Sequence, residues 1–387
     1  MRQGESAVSP AGVWVDADFP GGNILVDGVD GDLVRIHQDL RDTATDWFYW
    51  CFRVRGAAGR TLRFEFTKGN VIGVRGPAVS TDGGVTWRWL GTEVVEGASF
   101  RYAFSPDAGE VFFCFAIPYL EWNLREFLAR HAGSPWMREE TLCRSRKGRA
   151  VEMLRAGALQ GEPEHRVLLT ARHHCCESMA SYALEGMLEA LLSNGEVGAW
   201  LCRHVEVLAI PFVDKDGVEE GDQGKNRRPR DHNRDYEGES LYPEVAALRR
   251  LVPAWSGGKL RFALDLHCPH IRGNFNEHVY FVGGPNAENW ARVTRFCEIL
   301  EEMREGPLPY QAAGNLPYGQ GWNTGRAYGG GKSFARWASE IPGVRFASTV
   351  EIPYANAGGA VVTPESARAL GRDLARALHR FLQETPA

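Results

Sequence analysis

The chain has 387 residues, 44% of them hydrophobic, with 12 Trp and 19 Phe, which is enough apolar material for two folded units without disulfide or metal staples. Its formal net charge of -5 supplies no basic stripe for phosphates, and no stretch reaches the roughly 18 apolar residues of a bilayer span, so neither nucleic acid nor membrane is an expected partner. Residues 1–22 lack the basic-then-apolar order of a leader and the eight cysteines form no Cys-x-x-Cys pair, which points to reduced thiols and a cytoplasmic location; oligomeric state has no signature.

From Val13 to Tyr119, short aromatic and β-branched runs alternate with turn signals: WFYWCFRV (47–54), TLRFEF (61–66) and EVFFCFAI (110–117). This is the pattern of an antiparallel β-sandwich domain, assigned to residues 1–130. Within it TDGGVTWRWLG, from Thr81 to Gly91, reads as a hairpin, because Asp82-Gly83-Gly84 tolerates positive φ. Past Met137 apolar strands alternate with helical periods, so residues 131–387 are expected to form an α/β domain with a mixed, mostly parallel sheet covered by helices. Strands are expected over Arg166–Ala171, Val205–Asp214, Arg261–His267 and Phe346–Tyr354. Helices are expected over Ser178–Ser193, Tyr242–Leu251, Asn286–Met303 and Pro364–Thr385, the last with Ala, Leu and Phe at helical spacing.

Ligands of open α/β sheets gather beyond the carboxyl ends of the strands, so the residues that follow each apolar run carry the information. There stand Arg172-His-His-Cys-Cys-Glu177, His267, Glu351 and, in the loop after Val205–Asp214, Asp231-His-Asn-Arg234. A catalytic zinc site takes three nitrogen or oxygen ligands and leaves a position for water. His174 and Glu177, at a strand-to-helix turn, and His267, from a neighbouring strand, make such a set for one Zn2+ per chain. Glu351 lies outside it and is the candidate general base for a zinc-activated water.

At these residues the chain resembles the zinc carboxypeptidases, and most of all their cytosolic branch, which also carries an N-terminal β-sandwich. The resemblance covers nearly the whole chain. His-x-x-Glu stands as His174–Glu177, the third-ligand motif as Asp265-Leu-His267, the Asn-Pro-Asp-Gly turn as Asp214-Lys-Asp-Gly217, and Asp-x-Asn-Arg as Asp231–Arg234. It implies that Asn233 and Arg234 bind the terminal carboxylate of a peptide, for which a planar fork of donors is suited, and that Asp231 orients His174. In Lys225-Asn-Arg-Arg228 it implies an arginine that steadies the oxyanion, assigned to Arg227 in preference to Arg228, with Arg228 kept among the substrate-binding residues. It further implies a tyrosine over the substrate, for which Tyr310, Tyr318 and Tyr328 stand in the right region. Cys175-Cys176 and Cys268-Pro-His270 depart from the family pattern and bear on the pocket more than on the metal shell.

The activity so implied is hydrolysis of the C-terminal amide bond of a peptide or protein. Arg326 and Lys332, in a Gly-, Pro- and Tyr-rich segment (306–333), make an acidic terminal residue such as Glu an admissible target. The alternative activity is that of a zinc amidohydrolase or deacylase of a small acylated amino acid, and the reading from another class is a binding module with a vestigial metal site. A lone His-x-x-Glu is weak evidence; the ordered company of His267, Asp-x-Asn-Arg and Glu351 carries the zinc reading. His173 and His232 are read as packed or hydrogen-bonded, and Cys175, Cys176 and Cys268 as small buried hydrophobes. Gly329-Gly-Gly-Lys-Ser333 fails as a phosphate loop, since Arg326 stands where its first glycine belongs.

Overall fold

The computed structural model describes residues 7–8, 12–43, 48–273, 275–325 and 331–385. The first part is strand-rich: β1 (Ala7–Val8), β2 (Trp14–Asp16), β3 (Leu25–Asp30), β4 (Leu33–His37), β5 (Cys51–Arg55), β6 (Thr61–Phe66), β7 (Ala78–Ser80), β8 (Arg88–Trp89), β9 (Val95–Glu96), β10 (Ser99–Ala103) and β11 (Glu110–Cys114). They make two sheets, ordered β1-β2-β5-β11-β7-β8 and β3-β4-β6-β10-β9. In β6, Leu62, Phe64 and Phe66 are buried while Thr61, Arg63 and Glu65 turn toward solvent, the two-residue alternation of a strand with one wet face. Phe64 meets Phe100 of its own sheet at 4.9 Å, and Phe52 and Phe113 of the other at 5.3 Å. Burying each such ring contributes roughly 1.5–3 kcal/mol.

One pairing departs from the antiparallel expectation: β4 and β6 are parallel, because β5 between them crosses to the other sheet and the chain re-enters in its original direction. The expected hairpin is present, with its arms set further apart. β7 pairs with β8, Ala78 opposite Trp89, and Asp82 closes the loop by accepting the N–H groups of Val85 and Thr86.

The helices are α1 (Glu121–Arg130), α2 (Ser178–Leu192), α3 (Glu196–His204), α4 (Lys215–Glu220), α5 (Pro243–Ser256), α6 (Ala287–Met303), α7 (Phe334–Ser339) and α8 (Pro364–Glu384). Between them β12 (Met137–Arg144), β13 (Ala150–Gly157), β14 (His165–Ala171), β15 (Val205–Ile210), β16 (Leu260–His267), β17 (Tyr280–Val282) and β18 (Phe346–Glu351) form one sheet, ordered β12-β13-β15-β14-β16-β18-β17. The central strands β15, β14, β16 and β18 are parallel, and both edges are antiparallel. Successive residues of β16 serve opposite faces. Phe262, Leu264 and Leu266 join α2, α6 and α8 in one core, whereas Ala263 joins α5 and α7 in another. α5 runs past its expected end at Leu251, through Pro253, to Ser256; Val252 and Trp255, packed in the second core, offset the hydrogen bond a proline lacks. No helix among the described residues is long and apolar enough to cross a membrane.

Candidate active site

Three parallel strands end side by side: Ala171 of β14 is opposite Leu266 of β16, and His267 of β16 is opposite Glu351 of β18. The chain leaving β14 turns sharply. Arg172 takes a φ of 64°, in the left-handed region, and its buried guanidinium is held by the carbonyls of Tyr119 and Cys175 and by Ser181 Oγ. That turn delivers His174 and, where α2 begins, Glu177.

His174 Nδ1 lies 3.0 Å from Glu177 Oε1, and His267 Nδ1 lies 2.8 Å from Glu177 Oε2. All three side chains are buried, and their ligand atoms lie within 4.8 Å of one another. The His267 approach lacks hydrogen-bond alignment, so Glu177 Oε2 is buried without a hydrogen bond. Two imidazoles and a desolvated carboxylate converging on one point fit a divalent cation of the zinc kind. Each imidazole also has a carboxylate behind it: Asp265 Oδ2 is 2.5 Å from His267 Nε2, and Asp231 Oδ2 is 3.7 Å from His174 Nε2. Burial opposes charge on Glu177, but His267, Lys225 and His174 outweigh it and hold the carboxyl well below its ordinary range. His173 can be grouped with Asp265 and His267 as a second cluster. Its two nitrogens, however, are engaged by Asp265 at 2.8 Å and the Tyr236 hydroxyl at 2.7 Å, leaving no lone pair for an ion.

A cavity of about 690 Å³ opens over this point, and His174, His267, Asp231, Asn233, Arg234 and Glu351 all line it. Glu351 is buried and its Oε2 has no hydrogen bond. Burial, reinforced by Glu177 and opposed by Lys225, His267 and His174, holds its carboxyl above the ordinary value. Asn233 is fixed by the N–H of Phe334, which donates to its Oδ1 at 2.8 Å. Burial first, then Glu177, pushes the Cys176 thiol up to about 12, so it is neutral and no nucleophile.

The chain is 28% identical over 274 residues to an uncharacterised protein of Zymomonas mobilis, a match covering 66% of this chain and 69% of that one. It is 32% identical over 212 residues to cytosolic carboxypeptidase 2 of Macaca fascicularis, covering 51% of this chain and 25% of that protein. No family model matches. Among solved structures, a metallo-carboxypeptidase from Burkholderia cenocepacia superposes with a TM-score of 0.78 at 21% identity, over 96% of this chain and 99% of that one. A metallo-carboxypeptidase from Pseudomonas aeruginosa, solved with (2-guanidinoethylmercapto)succinic acid, gives a TM-score of 0.75 at 22% identity over 96% and 99%. The chain has the metallo-carboxypeptidase fold and is similar in sequence to cytosolic carboxypeptidases. It spans about a quarter of the length of the cytosolic carboxypeptidases it matches.

Within this carboxypeptidase fold two sequence assignments need correction. Arg227 does not line the cavity. Its two terminal nitrogens are tied to Asp214 at 2.5 Å, Asp222 at 3.1 Å and Asp42 at 3.5 Å, which brace the loop, while its Nε is buried without a hydrogen bond. Arg228 is exposed and likewise outside the cavity. The cation that the loop does present is Lys225, whose Nζ lies 2.5 Å from Glu177 Oε1 and donates to the carbonyl of Cys268 at 2.6 Å. Gly224 makes this possible. A Cβ there would come within 2.6 Å of the Cys175 nitrogen and 2.9 Å of His174 Cα, so only glycine lets the loop pass against the His174 turn.

Of the candidate tyrosines, Tyr310 is buried and bonded to Asn315, Tyr318 lines the cavity, and Tyr328 lies outside the described residues, as does Arg326. Lys332 is paired with Glu340 at 2.7 Å. Two further residues escaped sequence reasoning. Asp265 carried a signal, because a residue two before His267 on a strand must share its face. Arg336, on the first turn of α7, lines the cavity with no signal in the sequence to mark it.

Proposed function

We propose that the chain is a zinc-dependent carboxypeptidase that hydrolyses the C-terminal amide bond of peptides. The observation that carries this reading is that the two histidines of a His174-Glu177-His267 ligand set line one cavity with Glu351 and the Asn233-Arg234 pair. Bound at the three ligands, zinc would polarise the scissile carbonyl and lower the pKa of a water. The chain's own groups account for the rest. Arg234 and Asn233 take the terminal carboxylate, which fixes the last amide bond rather than an internal one at the reacting centre. Glu351 accepts the proton of the attacking water and returns it to the departing amine, a task suited to a carboxyl whose affinity for protons is raised by burial. Asp265 and Asp231 fix the ring orientations of His267 and His174.

The wall of the cavity away from the metal is made of small and apolar groups, Val282, Gly283, Gly284, Ala347 and Thr349, with Arg336 and Glu340 beside them. Lys332 neutralises Glu340, so Arg336 is left as the net charge. We therefore read the terminal residue as acidic, with Arg336 as its partner in place of Lys332. A cytosolic location, which the names of the carboxypeptidase relatives state for those proteins, belongs to the same reading.

The test is mass spectrometry of peptides ending in Glu, γ-linked Glu, Lys, Leu and Phe, incubated with zinc-loaded protein and with Glu351→Gln. Loss of one terminal residue from the Glu peptides by wild type alone is expected. Faster loss of Leu or Phe would overturn the acidic preference, and no loss from any peptide would overturn the carboxypeptidase reading in favour of a deacylase.

A further inference from the structure

We propose that Lys225 is the group that steadies the oxyanion of the scissile amide, the task that the family resemblance implied for Arg227. The inference rests on the carboxypeptidase reading above. Among the described residues the lysine and arginine side chains lining the cavity are Lys225, Arg234 and Arg336. Arg234 is consecutive with Asn233 on the carboxylate-binding side, and Arg336 belongs to α7. Lys225 is in contact with a metal ligand, Glu177 Oε1 at 2.5 Å, and it also acts electrostatically on Glu351. The reacting carbonyl must lie between the metal point and the base, and Lys225 lines the cavity that holds both.

An ammonium has three N–H donors. Glu177 and the Cys268 carbonyl take two, and the third is left for substrate. Its position is fixed by the loop rather than by its own flexible stem. Asp42 accepts the N–H groups of Gln223 at 3.1 Å and Gly224 at 2.8 Å, Thr43 Oγ1 donates to the carbonyl of Lys225 itself at 3.1 Å, and the tied guanidinium of Arg227 holds the far side. Asn226 completes the bend with a φ of 51°.

In the attack step the water oxygen bonds to the carbonyl carbon, the C=O π pair moves onto oxygen, and the water proton passes to Glu351. Lys225 donates a hydrogen bond to that oxygen while its charge is greatest. On collapse the π bond re-forms, the C–N bond breaks, and Glu351 returns the proton to the amine. Lys225 gains and loses no proton. A preorganised donor of this kind is worth about 10²–10³ in kcat.

The experiment compares zinc-loaded wild type, Lys225→Gln and Lys225→Arg by steady-state kinetics, metal analysis, and calorimetric binding of two probes. One is a phosphinic pseudodipeptide, whose tetrahedral anion imitates the oxyanion; the other is the free terminal amino acid, which engages the carboxylate pair only. For Lys225→Gln we expect kcat down about 10²–10³-fold with KM within about 3-fold, phosphinate affinity down by about 10²-fold, amino-acid affinity within about 3-fold, and zinc retained; Lys225→Arg should recover about tenfold of kcat. Zinc lost in step with activity, KM raised at constant kcat, or unchanged phosphinate affinity would each overturn the assignment. A wild type that cleaves no peptide and binds no phosphinate overturns the carboxypeptidase reading as well. A wild type that does both, with Lys225→Gln equal to it, overturns Lys225 alone.

Discussion

In the N-terminal sheets Asp16 is buried, and both its oxygens are taken, one by Arg53 at 2.8 Å and the other by Arg55 at 3.0 Å. At the carboxyl edge of the seven-stranded sheet Glu177 Oε2, Glu351 Oε2 and Asp231 Oδ1 are equally buried and accept no hydrogen bond. An unsatisfied buried acceptor costs roughly 1–3 kcal/mol. The sandwich spends Asp16 on its own stability, although Trp14 Nε1 and Arg63 Nε there are also buried without a hydrogen bond. The site keeps carboxylate oxygens available to a cation and a substrate. Of the five buried carboxylate oxygens without a hydrogen bond among the described residues, these three belong to the site.

The largest effect should come where an unpaired group does chemistry. Glu351→Gln is expected to reduce kcat by at least about 10³-fold with KM little changed, read in a steady-state assay. In wild type the same group should set the acid limb of kcat/KM. Its carboxyl is held above its ordinary 4.5, and it serves as base only when deprotonated, so activity should fall as pH drops through a midpoint above that value; a midpoint at or below it would remove burial as the tuning force. Next is the opposite region. Phe64→Ala should cost about 3–5 kcal/mol in urea unfolding while leaving zinc binding of the folded protein intact, and a loss of zinc affinity of the same size would break the division of labour between the regions. Asp265→Asn should weaken zinc about 10–100-fold in a competition titration with a chelator, with no comparable loss from Asp16→Asn. The smallest effect concerns Glu244, whose Oε2 likewise accepts no hydrogen bond. Burial, with Asp214 and Asp216 in support, pushes its carboxyl up to about 8. The folded chain then keeps a proton that the unfolded chain releases near 4.5, so stability should decline as pH rises between those values. Glu244→Gln should flatten that decline in a series of Tm measurements, and an unchanged slope would assign it to another group.

The site was legible in the sequence wherever its residues sit directly at strand ends. His174, Glu177, His267 and Glu351 all follow apolar runs; His267 and Glu351 end their strands, where the strand period determines which way they face, and His174 and Glu177 lie in the turn that follows β14. Legibility failed in the irregular loop between α4 and α5. There no period relates Lys225 to Arg227, and the choice between them is made by the acids Asp42, Asp214 and Asp222, the first of them far away in sequence, that capture one and leave the other. The same reason hid β12, whose half-exposed run MREETLCR has no apolar signature, and extended α5 beyond a proline that local rules treat as a stop. Long-range packing decided both.

The clasp between Asp42 and the loop from Gln223 to Arg227 has a consequence for how such proteins diverge. One carboxylate accepts two backbone N–H groups and faces the Arg227 guanidinium. A substitution at Asp42 would leave Arg227 with an altered charge balance and the loop without its tether, so descendants should carry compensating changes in both places or in neither. In an alignment of close homologues, positions 42 and 227 should therefore vary as a pair, although 184 residues separate them along the chain and neither touches the substrate.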